Sequence, residues 1–144
     1  ERFIGEAVRV DRNFIPSLTK IAEFAKQYNV KVWVTSSLRS LDNHVNGAIV
    51  VPASKSCHHI GHAIDMNVWC DGKLYNSQAL HPSKLLQQPK PVVDFIQSIQ
   101  ASSDLRWGGD FSQVEPVHID DDFYHKQTLL YTAKIQDRIR QLSA

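Results

Sequence analysis

The chain carries the stretch SCHHIGHAIDMNVW at residues 56–69, and this stretch decides the fold. Its second half alternates apolar and polar residues, which places Asp65 on the face of an extended chain opposite Ile64 and Met66. The alternation predicts a strand over residues 62–69. A carboxylate between apolar neighbours on such a strand requires a cationic partner, because burial of an unpaired charge is costly. A zinc ion is one such partner.

Three helices are predicted from apolar residues that recur at spacings of three and four. They cover residues 11–28, 90–99 and 127–142. We expect Asp11 to lie near the N-cap of the first helix and the second helix to open near Pro91.

The remaining strands are predicted from shorter alternating segments, residues 30–36 and residues 116–120. The Asp-Gly turn at residues 71–72 predicts a hairpin that returns through residues 73–75. Residues 41–56 contain many turn-forming residues and are interpreted as a loop. Hairpins combined with terminal helices predict an α+β domain, a small antiparallel sheet with flanking helices.

Length and composition limit the functional classes. A chain of 144 residues that is 42% hydrophobic predicts one domain over residues 1–144. A net charge of +1 provides no long-range field for a nucleic-acid backbone, and apolar runs such as residues 48–53 are far shorter than a membrane-spanning helix. We expect a monomer that binds no nucleic acid and does not insert into a membrane.

Neither the start of the chain nor its cysteines fix the cellular compartment. The chain opens at Glu1 rather than Met, so we interpret it as a processed product or a piece of a longer protein. Cys57 and Cys70 are too few for a disulfide framework, and they are compatible with one bridge or with two free thiols.

A second polar cluster lies at residues 115–120, with the sequence EPVHID. Strand alternation places His118 on the side opposite the core. His58, Asp65 and His118 together supply two imidazoles and one carboxylate, which suits a catalytic zinc ion with a fourth position open to water. Glu115 would then accept a proton from that water.

A rival zinc site would use Cys57, His58 and His62, although it would leave Asp65 without a partner. For His59 and His62 the simpler interpretation is a surface position or a hydrogen bond beside the site. Neither falls on one of the three ligand positions.

The segment RWGGDF at residues 106–111 is interpreted as support for the site. We expect Trp107 to be a packing residue and the two glycines after it to permit a tight turn. Asp110 is a candidate for orienting a ligand histidine. The acidic run at residues 120–122 is interpreted as a solvated turn.

Four segments occur in the order found in one family of zinc peptidases: SSLRS at 36–40, SCHHIGHAID at 56–65, RWGGDF at 106–111 and EPVH at 115–118. In them the chain resembles the family that includes D-Ala-D-Ala carboxypeptidases, D-Ala-D-Ala dipeptidases and the L-alanyl-D-glutamate endopeptidases of phage endolysins. The Trp-Gly-Gly-Asp segment is similar to the endolysin-like branch. The wider structural group also contains lysostaphin-type enzymes and the hedgehog signalling domain.

The resemblance implies one bound Zn²⁺ ion with three protein ligands: His58, Asp65 and His118. It also implies that Glu115 is the catalytic base. Arg39 would bind substrate and polarise the scissile carbonyl or stabilise the oxyanion, and Ser56 would help to bind substrate. The chain departs from the endolysin-like branch in having Glu115 where that branch often has Asp.

The implied function is zinc-dependent hydrolysis of peptidoglycan stem peptides, by an L-Ala-D-Glu endopeptidase or a D-Ala-D-Ala carboxypeptidase. We expect such an enzyme to act outside the cytoplasm or in the periplasm and to be fused to a delivery or wall-binding domain. The alternative is a hedgehog-like, zinc-containing binding module without significant hydrolysis. Glu115 and Arg39 argue against that alternative, because a structural ion needs neither a base nor an oxyanion partner.

Overall fold

The structure is a computed structural model that describes residues 2–37, 44–45, 48–49, 61–122 and 128–143. The described strands are β1 (Phe3–Gly5), β2 (Lys31–Ser36), β3 (His44–Val45), β4 (Ala48–Ile49), β5 (Ala63–Cys70), β6 (Lys73–Tyr75), β7 (Arg106–Trp107) and β8 (His118–Asp120). The described α-helices are α1 (Ile15–Gln27), α2 (Ser77–Leu80), α3 (Lys90–Ala101) and α4 (Thr128–Ser143). Short 3₁₀ turns cover Arg12–Phe14, Leu85–Gln87 and Gly108–Asp110.

Six strands form one sheet in the order β1-β2-β5-β8-β7, and β6 pairs with the far end of β5. The pairs are antiparallel except for β1 and β2, which run parallel. The strands β3 and β4 form a separate antiparallel ribbon. Mixed helices and sheet confirm the predicted α+β class.

Most predicted elements are found within a few residues of their expected ends. The strand predicted at residues 62–69 is β5, and the hairpin after it turns through Asp71 and Gly72 with φ of 50° and 78°. Both values lie in the left-handed region that a two-residue hairpin turn requires. All three long helices form, and the side chain of Asp11 accepts a hydrogen bond from the Asn13 N–H, as an N-cap does.

One prediction is wrong in part. Residues 44–45 and 48–49 lie inside the segment interpreted as a loop, but they pair as the β3–β4 ribbon. The sequence signal for this ribbon is Asn46-Gly47, a dipeptide that favours tight hairpins. Strands of two residues are too short to show alternation.

The hydrophobic core lies between one face of the sheet and the helices α1 and α3. The sheet contributes the buried residues Val32, Val34, Ile64, Met66, Val68 and Ile119. The helices contribute Ile21, Ala25, Val92, Phe95, Ile96 and Ile99. Because side chains alternate along a strand, the intervening residues share the opposite face, which we term the outer face. Its members are Lys31, Trp33, Asp65, Asn67, Trp69, Leu74, Arg106, His118 and Asp120.

Two further observations bear on the expectations above. No helix in the described part of the chain is long and apolar enough to cross a membrane. Cys70 is a buried free thiol at the end of β5, while Cys57 lies outside the described residues.

Candidate active site

Asp65 and His118 are direct partners in the antiparallel pair of β5 and β8. Residues opposite each other in such a pair project from the same face, so the two side chains meet on the outer face. His118 Nδ1 lies 3.4 Å from Asp65 Oδ1. The His118 side chain is 6% exposed and the Asp65 side chain 19% exposed, so solvent reaches the carboxylate more readily than the imidazole.

A turn brings Glu115 to the same imidazole. The His118 N–H donates to the Glu115 carbonyl at 3.1 Å, which closes a four-residue turn with Pro116 at its second position, where the fixed φ of proline is favourable. Residues at the two ends of such a turn lie close together. Glu115 Oε1 is 4.0 Å from His118 Nδ1, and the Glu115 side chain is 52% exposed.

The glycine pair predicted to permit a tight turn is needed for close packing. A Cβ on Gly108 would lie 2.1 Å from the Glu115 carbonyl oxygen, and a Cβ on Gly109 would lie 2.2 Å from the Trp107 ring. Trp107 is 2% exposed, and its indole N–H donates to the Pro116 carbonyl at 2.6 Å. The prediction of Trp107 as a packing residue is confirmed, and its ring holds the turn that carries Glu115.

Asp120 was predicted to lie in a solvated turn, and this prediction is wrong. Its side chain is 1% exposed, because β8 lies between β5 and β7 in the sheet. Asp120 Oδ2 lies 2.7 Å from His118 Nε2. Arg106 donates two hydrogen bonds to the same carboxylate, at 2.9 and 2.8 Å. The missed signal was the spacing of two residues, which puts Asp120 and His118 on one face of a strand.

These contacts determine the protonation states of His118 and Asp120. Burial disfavours the charged form of His118, but its hydrogen bonds to Asp120 and Asp65 and their negative charges outweigh burial and raise its pKa to about 9. Burial likewise opposes ionisation of Asp120, but His118 and Arg106 outweigh it and lower the pKa of the carboxyl to about 2. In the metal-free protein at neutral pH, both side chains are therefore charged.

Asp110 does not contact His118, and His58, the other proposed ligand histidine, lies outside the described residues. Asp110 is exposed and accepts a hydrogen bond from the Gln100 side chain at 2.9 Å. The neighbouring Phe111 instead contacts the site, with its ring centroid 5.5 Å from that of His118. The Arg106 guanidinium lies over the Phe111 ring, with Cζ 4.5 Å from the ring centroid. For His118, the orienting contact comes from Asp120.

His62 is 1% exposed, so it is not a surface residue. Its Nδ1 lies 2.7 Å from Asp121 Oδ2, and its Nε2 lies 3.6 Å from Asp11 Oδ1. Asp11 also accepts a hydrogen bond from Lys134 of α4 at 2.8 Å. These contacts agree with the interpretation of His62 as a hydrogen-bonding residue beside the site.

Three of the predicted site residues, Arg39, Ser56 and His58, lie outside the described residues, as do Cys57 and His59. The structure nevertheless brings the four family-like segments together. Ser36 is the strand partner of Asp65, Asp65 is the partner of His118, and Arg106 is the partner of Asp120. Ser36, Asp65 and His118 therefore form one row across the sheet, and Arg106 lies in the neighbouring row, opposite Asp120.

The described donors fit a zinc ion in two respects, although the described residues contain no group of three or more that could hold a metal. A tetrahedral ion at about 2.0–2.1 Å from its ligands separates two ligand atoms by roughly 3.4 Å. The distance from His118 Nδ1 to Asp65 Oδ1 is 3.4 Å. In addition, Asp120 engages Nε2, as carboxylates commonly do behind a metal-binding histidine.

Comparison with known protein families gives a match. A family model described as D-alanyl-D-alanine carboxypeptidase matches residues 51–121, about half of the chain. The matched segment includes Asp65, Glu115, His118 and Asp120. No curated protein matches the chain. The match supports a relationship between this chain and the D-alanyl-D-alanine carboxypeptidase family of peptidases.

Proposed function

We propose that the protein is a zinc-dependent peptidase that hydrolyses peptidoglycan stem peptides, as an L-Ala-D-Glu endopeptidase or a D-Ala-D-Ala carboxypeptidase. One observation carries the proposal. The cross-strand donors of Asp65 and His118 are 3.4 Å apart, with the Glu115 carboxylate 4.0 Å from the same imidazole, inside the segment that matches the peptidase family.

The proposed zinc ligands are His58, Asp65 and His118. When bound, zinc lowers the pKa of a coordinated water and polarises the scissile carbonyl. The chain supplies the orientation of the donors. Asp120 holds the His118 ring with Nδ1 towards Asp65, and Arg106 fixes Asp120 through two hydrogen bonds.

Glu115 is the proposed general base. Its exposed carboxylate accepts a proton from the water as the water oxygen forms a bond to the scissile carbonyl carbon. The carbon–nitrogen bond then breaks, and Glu115 passes the proton to the leaving amine. The second proton of the water leaves the new carboxylic acid and is taken up by the amine, so the products are a carboxylate and an ammonium group, and the base returns to its ionised form.

Arg39 is proposed to bind substrate and stabilise the oxyanion, and Ser56 is proposed to help bind the peptide. We further propose that the chain is a single monomeric domain. A substrate in the cell wall places its activity outside the cytoplasm or in the periplasm, where a fused delivery or wall-binding domain would direct it.

The test is incubation of the zinc-loaded protein with purified peptidoglycan and with defined stem peptides, followed by mass spectrometry. Chelator-sensitive release of D-Ala would establish the carboxypeptidase, and cleavage after L-Ala the endopeptidase. The matched control is Glu115→Gln, which retains the shape of the side chain but cannot accept the proton. Stoichiometric zinc without cleavage would contradict the proposal and favour the binding module.

A further inference from the structure

Two tryptophans lie next to each other on the outer face of the sheet. The ring centroids of Trp33 on β2 and Trp69 on β5 are 6.1 Å apart, with the planes inclined by 37°. Trp33 is 36% exposed, and Leu74, the strand partner of Trp69, is 38% exposed. Large apolar side chains grouped on a solvent-facing surface commonly mark a binding site.

This surface is continuous with the candidate active site. Asp65, Asn67 and Trp69 occupy alternate positions of β5 and therefore share the outer face. Trp33 is the strand partner of Asn67. Trp33 thus lies on the strand next to that of Asp65 and two residues further along. The diagonal distance between the Cα atoms of Trp33 and Asp65 is about 8 Å. Trp69 lies about 13 Å along β5 from Asp65.

The Trp33 ring rests on a part of the sheet that has no side chain. A Cβ on Gly5 of β1 would lie 2.8 Å from Cδ1 and Nε1 of the indole. The bare backbone of Gly5 therefore lets the ring lie close to the sheet. This packing limits rotation of the ring, and a ring that is already oriented loses little entropy when a ligand stacks on it.

We propose that Trp33 and Trp69, termed the tryptophan pair, bind the glycan strand of peptidoglycan next to the stem peptide that is cut. The proposal rests on the proposed function. The C–H faces of sugar rings pack on aromatic faces, and Asn67 places an amide beside the pair for hydrogen bonds to acetamido and hydroxyl groups. Two rings inclined to each other suit successive sugars, which are rotated along a glycan chain.

The short distance to Asp65 defines the substrate further. About 8 Å corresponds to two or three extended residues. A sugar on Trp33 would therefore place the lactyl link and the first peptide bonds of its stem at the candidate active site, so this inference goes with the L-Ala-D-Glu endopeptidase and not with cleavage of the terminal D-Ala-D-Ala bond. The tryptophan pair would make the enzyme prefer stem peptides attached to glycan over free peptides.

The area of the patch argues for a glycan rather than a protein partner. A specific protein interface buries about 800 Å² on each side, with 20 to 30 residues. The patch consists of two indoles and Leu74, and other exposed large apolar residues in the described chain, such as Leu86, lie outside the sheet. A narrow aromatic strip is the size of a few sugar rings.

The test is calorimetric titration of the full chain, loaded with zinc and carrying Glu115→Gln, with glycan strands whose stem peptides have been removed by an amidase. We expect saturable binding that Trp33→Ala and Trp69→Ala each weaken about tenfold, the loss of one aromatic contact. Trp33→Phe should retain most of the affinity. The control Leu86→Ala, a change at a residue that is 74% exposed, should have no effect. Binding that is absent, or equal in all variants, overturns the proposal.

Turnover by the unmodified enzyme separates this proposal from the proposed function. Glycan binding that needs Trp33 without any cleavage would reject the peptidase and retain the glycan site. Cleavage without glycan binding, and with equal kcat/KM for attached and free peptides, would retain the peptidase and reject the glycan site. A dimer that Trp69→Ala dissociates would also reject it, because the second copy would then cover the pair.

Discussion

Arg106 and Asp120 face each other across β7 and β8, and the guanidinium holds the carboxylate with two hydrogen bonds of 2.9 and 2.8 Å. A paired arginine fork fixes the position of a carboxylate more strictly than a single contact does. Asp120 Oδ2, which accepts one of these two hydrogen bonds, also lies 2.7 Å from His118 Nε2. The orientation of the candidate zinc ligand therefore depends on a residue from a different strand, Arg106.

Replacement of Asp120 tests this support. Asp120→Asn removes the charge behind His118, and we expect zinc affinity to fall about 10–100-fold and stability by about 1–3 kcal/mol. Competition with a chromophoric chelator and urea unfolding measure the two effects. Asp110→Asn is the matched control, because Asp110 contacts Gln100 at an exposed position. Equal losses in the two variants would contradict the role of Asp120.

Two variants distinguish the proposed base, Glu115, from the proposed zinc ligand, His118. Glu115→Gln should bind zinc normally and lose hydrolysis by about 10²–10⁴-fold, because proton transfer is removed while the donors remain. His118→Ala should lose both zinc and hydrolysis. Metal content by mass spectrometry and initial rates on defined stem peptides check these expectations. An active Glu115→Gln enzyme would refute Glu115 as the base.

Gly108 allows a test of the turn that carries Glu115. Gly108→Ala places a methyl group 2.1 Å from a backbone oxygen, which cannot move without shifting the turn. We expect a loss of about 2–4 kcal/mol in stability, together with lower activity. Thermal unfolding measures the loss. Ser112→Ala, at an exposed position in the same loop, serves as the control and should unfold like the unmodified protein.

The metal-free protein should lose stability in alkaline solution. The pKa of His118 is raised from 6.5 to about 9, so its stabilising contribution is complete below pH 6.5 and is lost as the pH rises through about 9. We expect the free energy of unfolding in chelator to fall by about 1–3 kcal/mol between pH 6.5 and 9.5.

Zinc should remove this dependence, because a metal ligand must be deprotonated and the ion then replaces the proton on the imidazole. Urea midpoints measured with and without chelator make the comparison. A zinc-loaded protein with the same alkaline loss as the metal-free protein would show that His118 is not a ligand.

The elements that repeat a pattern over many residues could be predicted from the sequence. Eight alternating residues identify β5 and place Asp65 on the face opposite Met66. The three residues of β1 and the two-residue strands β3 and β4 are too short for such a pattern. Their pairing depends on tertiary contacts that local sequence does not contain.

The site was predictable to a similar degree. The spacing of Glu115 and His118 indicated a shared role, and the structure joins them through one turn. The sequence does not reveal the burial of Asp120, because three consecutive carboxylates normally indicate a solvated surface. Its burial follows from pairing with Ala63 on one side and Arg106 on the other, and such partners are distant in sequence.

The two neighbouring rows of strand partners have a consequence for how related proteins can vary. Ser36, Asp65, His118 and Arg106 take their relative positions from ladder hydrogen bonds in the sheet. The surface loops between the helices and strands take no part in these ladders, and lengthening a surface loop costs only a fraction of a kcal/mol per doubling, about 0.6. Insertions or deletions in those loops can therefore accumulate while the spacing inside each of the four segments must stay fixed.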